Sequence, residues 1–65
     1  MYSVTTVIDS GERLNVDGYE SFDDAVAESW VTTEEGIRHS PNSDLTIFYP
    51  PHRIYQIEVR KVESE

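Results

Sequence analysis

The chain has no cysteine, so neither a disulfide nor a cysteine-held zinc can staple its core. A small hydrophobic core has to hold the fold, and the missing thiols fit a reducing compartment. No stretch of the sequence approaches the roughly 18 consecutive apolar residues of a membrane-spanning helix. The opening MYSVTT has neither a basic start nor an apolar run. A cytoplasmic protein is expected, or one in the host cytoplasm if phage-encoded, with no role for a membrane. The three glycines, at 11, 18 and 36, stand apart, and none leads into a lysine–serine pair. A phosphate-cradling loop is thereby excluded.

Positive charge is also scarce. Thirteen acids face five lysines and arginines, a net charge of −8. The imbalance is local: Leu14 to Ile37 carries Asp17, Glu20, Asp23, Asp24, Glu28, Glu34 and Glu35 with no lysine or arginine, whereas Arg53, Arg60 and Lys61 gather near the other end. A charge of this size in a small domain favours solubility but works against compaction through self-repulsion. Sixty-five residues make one domain, 1–65, burying only about 60% of the surface its unfolded chain exposes. A deep pocket is not expected.

What is present organises around Ser21–Gly36, SFDDAVAESWVTTEEG, the only segment with a sustained helical period. Phe22, Ala25, Val26, Ser29, Trp30 and Thr33 fall in one arc, read as the buried face, and Asp24, Glu28, Val31 and Glu35 lie roughly opposite. Ser21 has the form of an N-cap, Asp23 and Asp24 suit the positive end of the helix dipole, and Gly36 supplies a stop with positive φ. Trp30 is expected at the centre of the core, with an interface anchor as the other reading.

Extended segments flank the helix. Tyr2–Asp9 alternates and is rich in β-branched residues, and Arg13–Val16 resumes the alternation after the turn formers Asp9 to Glu12. These make a hairpin, which Asp17-Gly18 ends, with Tyr19 covering the start of the helix. Residues 37–44 are dominated by turn formers and read as the main loop, although Ile37 to His39 could extend. Leu45–Tyr49 is a third strand, stopped by Pro50-Pro51. Ile54–Val62 is a fourth, joined to the third as an antiparallel partner, and residues 63–65 should fray. The expected fold is α+β: a β-β-α-β-β domain with one antiparallel sheet and a single amphipathic helix packed on one face. Phe48 cannot share a face with Ile47, so Phe48 is exposed or the second side of the sheet is partly covered.

Chemistry is hard to place on this chain. Asp23-Asp24 and Glu34-Glu35 point about 100° apart within each pair and do not converge on a substrate. His39 and His52 lack a neighbouring cysteine or second histidine, and His39 with Asp44 would be a two-ligand site at best. No metal, cofactor or catalytic residue is expected. Tyr49, His52, Arg53, Tyr55, Arg60 and Lys61 interleave aromatics and cations as stacking platforms do, but the net charge opposes a polyanion. Those cations are expected to pair with acids on neighbouring strands. No string, FYPPHRIYQIEVR included, places the chain in a family.

By elimination, the chain reads as a non-catalytic acidic protein-binding module. Its expected contact residues are Asp23, Asp24, Glu28, Val31, Glu34 and Glu35, and its partner a protein with a basic surface of the kind that holds nucleic acid. Small acidic inhibitors that imitate DNA charge, among them anti-CRISPR and nuclease-inhibiting products of phages and mobile elements, are the analogy. The alternative is a small structural or assembly protein, a homodimer or larger homo-oligomer joined through its sheet.

Overall fold

Ser3 to Ile8 are all buried, an unbroken run in a chain with few other buried residues. The computed structural model describes residues 1–62. It orders the chain as β1 (Tyr2–Ile8), β2 (Arg13–Tyr19), α1 (Phe22–Glu35), β3 (Ile37–Asn42), β4 (Leu45–Tyr49), a 3₁₀ turn (Pro51–Arg53) and β5 (Ile54–Lys61). The fold is α+β with antiparallel sheets and one helix. Its centre is β1 rather than the helix.

A three-stranded sheet runs in the order β2-β1-β5, with both flanking strands antiparallel to β1. Alternation divides β1 between two environments. Val4, Thr6 and Ile8 share the apolar face, beside Leu14 and Val16 of β2 and Ile57 and Val59 of β5. Ser3, Thr5 and Val7 share the other, beside Arg13, Asn15, Gln56, Glu58 and Arg60. That face is polar and tied together: Thr5 Oγ1 donates to Asn15 Oδ1 at 2.7 Å, and Arg13 and Arg60 both reach Glu58 Oε1, at 2.7 and 3.0 Å. The β1–β2 turn is closed by Gly11 N–H donating to the Ile8 carbonyl at 2.8 Å, with Gly11 at φ 97°. Only glycine takes that angle freely.

Ser21 caps α1 as expected, its Oγ accepting from the Asp24 N–H at 3.0 Å, and Gly36 ends the helix at φ 87°. The buried face differs from the expected one. Ala25 (0% exposed) and Thr32 (4%) are the buried helix residues, whereas Phe22 (54%) and Trp30 (63%) are largely in solvent. The helix has turned roughly 60° from the orientation its bulky residues suggested. Ala25, Ser29 and Thr32, spaced four and three apart, let the helix backbone approach a sheet whose own centre is made of threonine and valine. A tryptophan on that line would have held the two layers apart.

Four further expectations need correction. Residues 37–44 are not a loop: Ile37–Asn42 is β3, paired antiparallel with β4 across a turn at Ser43-Asp44, where Asn42 Oδ1 accepts the Asp44 N–H at 2.8 Å. A register shift between His39 and Asn42 accommodates Pro41, which has no N–H to give a ladder. The β4 strand does not pair with β5; it pairs with β3, while β5 crosses back to β1, so there are two sheets rather than one. Asp17-Gly18 does not end β2. Gly18, at φ 98°, sits where the register shifts, and the strand runs on to Tyr19. The strand expected to reach Val62 ends at Lys61, and the fraying expected of residues 63–65 lies outside the described residues.

Candidate functional site: the outer face of the helix

The exposed surface of α1 carries five acids, Asp23, Asp24, Glu28, Glu34 and Glu35, with Val31 (47% exposed) among them, and Glu28 also borders a recess against β1 and β2. The structure divides them into two strips. Asp24, Glu28, Val31 and Glu35 follow one another at helical spacing along one side, and Asp23 and Glu34 lie about 100° further round, next to Trp30. The ion pairs among the described residues are Arg13–Glu58, Arg60–Glu58 and Arg53–Asp9, so none uses a helix acid. No basic residue occupies the last helical turn. The cations were expected to pair with acids of neighbouring strands, but Arg53 pairs with Asp9 of the β1–β2 turn and Arg60 with Glu58 of its own strand, and Arg38 and Lys61 enter none of these pairs; α1 itself carries no cation.

Neighbouring groups register the surrounding charge. Burial pushes the Tyr19 hydroxyl up, and the Glu28 carboxylate adds to the shift. Arg53 donates through Nε to both Asp9 oxygens, at 2.9 and 2.8 Å, and holds that carboxyl below its ordinary value. Burial works against the charge of Glu58, but donation from the Gln56 amide and the Arg13 and Arg60 guanidiniums hold its pKa below the usual range. These stabilised carboxylates belong to the β1–β2 turn and to β5. The helix acids enter no such pair, and Arg38 is the cation beside them, lining one recess with Glu28 and another with Glu35.

Trp30 borders a cleft of about 410 Å³ between the second half of α1 and the start of β5, with Pro51, Ile54, Tyr55 and Ile57 on the far side. Tyr55 is 74% exposed. The β1–β5 register shifts between Val7–Gln56 and Ile8–Ile54, which places Tyr55 as an extra, bulged residue. Bulges re-aim side chains. No protein-family model, curated protein or solved structure matches this chain. The site therefore has to be argued from its own geometry.

A second recess, about 260 Å³, is lined by Val4, Thr6, Tyr19, Glu28, Thr32 and Arg38. Thr6 Oγ1 is buried there and has no hydrogen-bond partner among the described residues. No group of three or more metal-ligating side chains gathers among the described residues. Among the described residues, no helix is long and apolar enough to cross a membrane.

Sequence reasoning placed the acids on the outside of the helix but missed Tyr55, Pro51 and Ile54 as neighbours of Trp30. Those three reach Trp30 only because β5 pairs with β1, a long-range choice with no local signature. The spacing of the small residues Ala25, Ser29 and Thr32 was the available clue that the tryptophan lies off the buried line.

Proposed function

We propose that this protein is a non-catalytic protein-binding module whose acidic helix occupies a basic surface of a partner protein, one that otherwise holds nucleic acid. The observation that carries the reading is that large apolar side chains and unpaired acids stand side by side in two exposed strips of the helix. Trp30, 63% exposed, stands beside Asp23 and Glu34, and Val31, 47% exposed, stands in the strip of Asp24, Glu28 and Glu35; none of the five acids enters an ion pair of the described residues. Acids alone would serve solubility. An exposed tryptophan between them is the composition of an interface anchor with a charged rim, because tryptophan contributes large buried area on binding and surrounding charge steers encounter.

In this reading the protein acts in the cytoplasm as a small inhibitor, of the kind phages and mobile elements direct against nucleases or CRISPR effectors. The test is competition. Partner captured on the immobilised chain at low salt should be displaced by double-stranded DNA or heparin, and binding should weaken steeply as salt rises, since surface attraction is screened over about 8 Å at physiological ionic strength. Retention that ignores both salt and polyanion would contradict the reading.

One observation favours a second function. Phe48 (59% exposed) and Leu45 (47%) stand on the β3–β4 hairpin, a two-stranded sheet that does not join the other. Such a sheet offers open edges for assembly with another copy. Sedimentation at high micromolar concentration decides this: a multiple of the monomer mass supports assembly, and a monomer removes it.

A further inference from the structure

The cleft between Trp30 and Tyr55 has a donor–acceptor character that narrows what it can hold. Ser29 Oγ donates to the Val26 carbonyl at 2.7 Å and Thr33 Oγ1 to the Ser29 carbonyl at 2.8 Å. Both hydroxyls line the cleft with their hydrogens already engaged, so they face it as acceptors. Gln56 also borders the cleft, but its amide turns to the polar face of the sheet, where Nε2 donates to Glu58 Oε2 at 2.6 Å. The lining includes no charged residue. The cation nearest in sequence, Arg53, is held by Asp9. Glu34 lies one helical turn beyond Trp30, and the chain as a whole is at −8.

We infer that this cleft receives an arginine side chain of the partner, its guanidinium lying against Trp30 and Tyr55 and its N–H groups directed to Ser29 and Thr33. The inference rests on the proposed binding of a basic partner and names the side chain that the site selects. A guanidinium has five donors and no acceptor, which complements an acceptor-lined cleft, and its planar face stacks on aromatic rings. Tryptophan gives the strongest such attraction. Lysine meets the charge requirement but not the planar one. The bulge that turns Tyr55 outward supplies the second ring opposite Trp30.

Trp30 is the only tryptophan, so its emission reports this cleft alone. The experiment titrates the whole protein at low salt with hexa-arginine, hexa-lysine and hexa-citrulline, following Trp30 fluorescence and, in parallel, heat by calorimetry. Hexa-arginine is expected to change the emission saturably and to bind more tightly than hexa-lysine, with hexa-citrulline inert. Tyr55→Ala, at an exposed position, should weaken hexa-arginine by about 2- to 5-fold, the size of one cation–π contact, whereas Phe48→Ala on the hairpin should leave it unchanged. Heat of binding with unaltered Trp30 emission and wild-type affinity in Tyr55→Ala would overturn the cleft assignment and leave the acidic face standing. Equal binding of hexa-citrulline would overturn recognition of a cation. No heat with any cationic peptide would overturn the acidic-face reading, and this inference with it.

Discussion

Gly36 and Tyr49 meet backbone to backbone: a Cβ on Gly36 would fall on the Tyr49 carbonyl oxygen, with the Phe48 ring and Pro50 Cα both at 3.2 Å. Gly36 stands at φ 87°, ψ −172°, a combination open essentially to glycine, and its N–H closes the helix on the Thr32 carbonyl at 2.9 Å. This one residue ends α1 and seats the β3–β4 hairpin against it. Gly36→Ala combines backbone strain with a clash against main chain that cannot rotate away. The expected loss is about 3 kcal/mol or more, from a domain whose total is roughly 3–10 kcal/mol. Chemical denaturation measures it, and a loss below about 1 kcal/mol would contradict the close approach.

Thr6 is 1% exposed and its hydroxyl has no partner among the described residues, so the fold carries the cost of desolvating a polar group. Thr6→Val keeps the shape and the β-branch while removing that group. It is expected to raise stability by about 1 kcal/mol. Thr5→Val is the contrasting case, because it removes the 2.7 Å hydrogen bond to Asn15 and should destabilise. Paired melting curves for the two variants test the distinction.

Acid should weaken the clasp between the β1–β2 turn and the 3₁₀ turn. The Arg53 contact depresses Asp9 below its ordinary value of 3.8, and Glu58 lies below its ordinary 4.5. A carboxyl whose pKa is lower in the folded than in the unfolded chain contributes stability above the unfolded value and loses it as pH falls through the folded one. The relevant window is therefore below about pH 4.5 for Glu58 and below about 3.8 for Asp9. Relief of the self-repulsion of a chain at −8 acts in the opposite direction on the same titration. A difference measurement separates the two: the gap in Tm between wild type and Asp9→Asn should be constant near neutrality and narrow below pH 4. A gap independent of pH would show that the pair does not stabilise the fold.

Trp30→Ala is expected to cost about 1 kcal/mol or less, because the side chain is 63% exposed. A centrally buried tryptophan would cost about 3–5 kcal/mol. A small change in Tm with a large loss of partner affinity is the outcome that fits an interface anchor.

Local signals in the chain were legible and long-range ones were not. Ser21, Gly36 and the β-branched run of β1 each act through neighbours in sequence, and the α+β class and the helix limits follow from them; for Phe48, 59% exposed, alternation with Ile47 leaves exposure and a covered second face equally open. The pairing of β4 was misread because Pro50-Pro51 looks like a hairpin link, whereas the chain uses it in a 3₁₀ turn that redirects β5 to β1. β3 was missed because Ser40-Pro41 resembles a loop and in fact sits at a register shift inside a strand. The helix face was misjudged because a periodicity weighted by side-chain size favours Phe22 and Trp30, while packing against a threonine-rich strand selects Ala25 and Thr32. The acids were placed outward because charge resists burial whatever the topology.

The central claim is that the helix acids, by position and not by net charge, hold the partner. The direct measurement compares partner affinity for two variants of equal charge change: Glu28→Lys with Glu35→Lys on the helix, and Asp17→Lys with Asp44→Lys on β2 and the hairpin turn, all exposed positions. Both variants should keep their folds, since surface substitutions of this kind change stability by about 0.5 kcal/mol or less. The expected result is that the helix variant loses binding, chiefly through slower association, while the control variant retains most of it. Equal affinity for the two, or a helix variant that binds as the original does, would contradict the claim and move recognition off the helix.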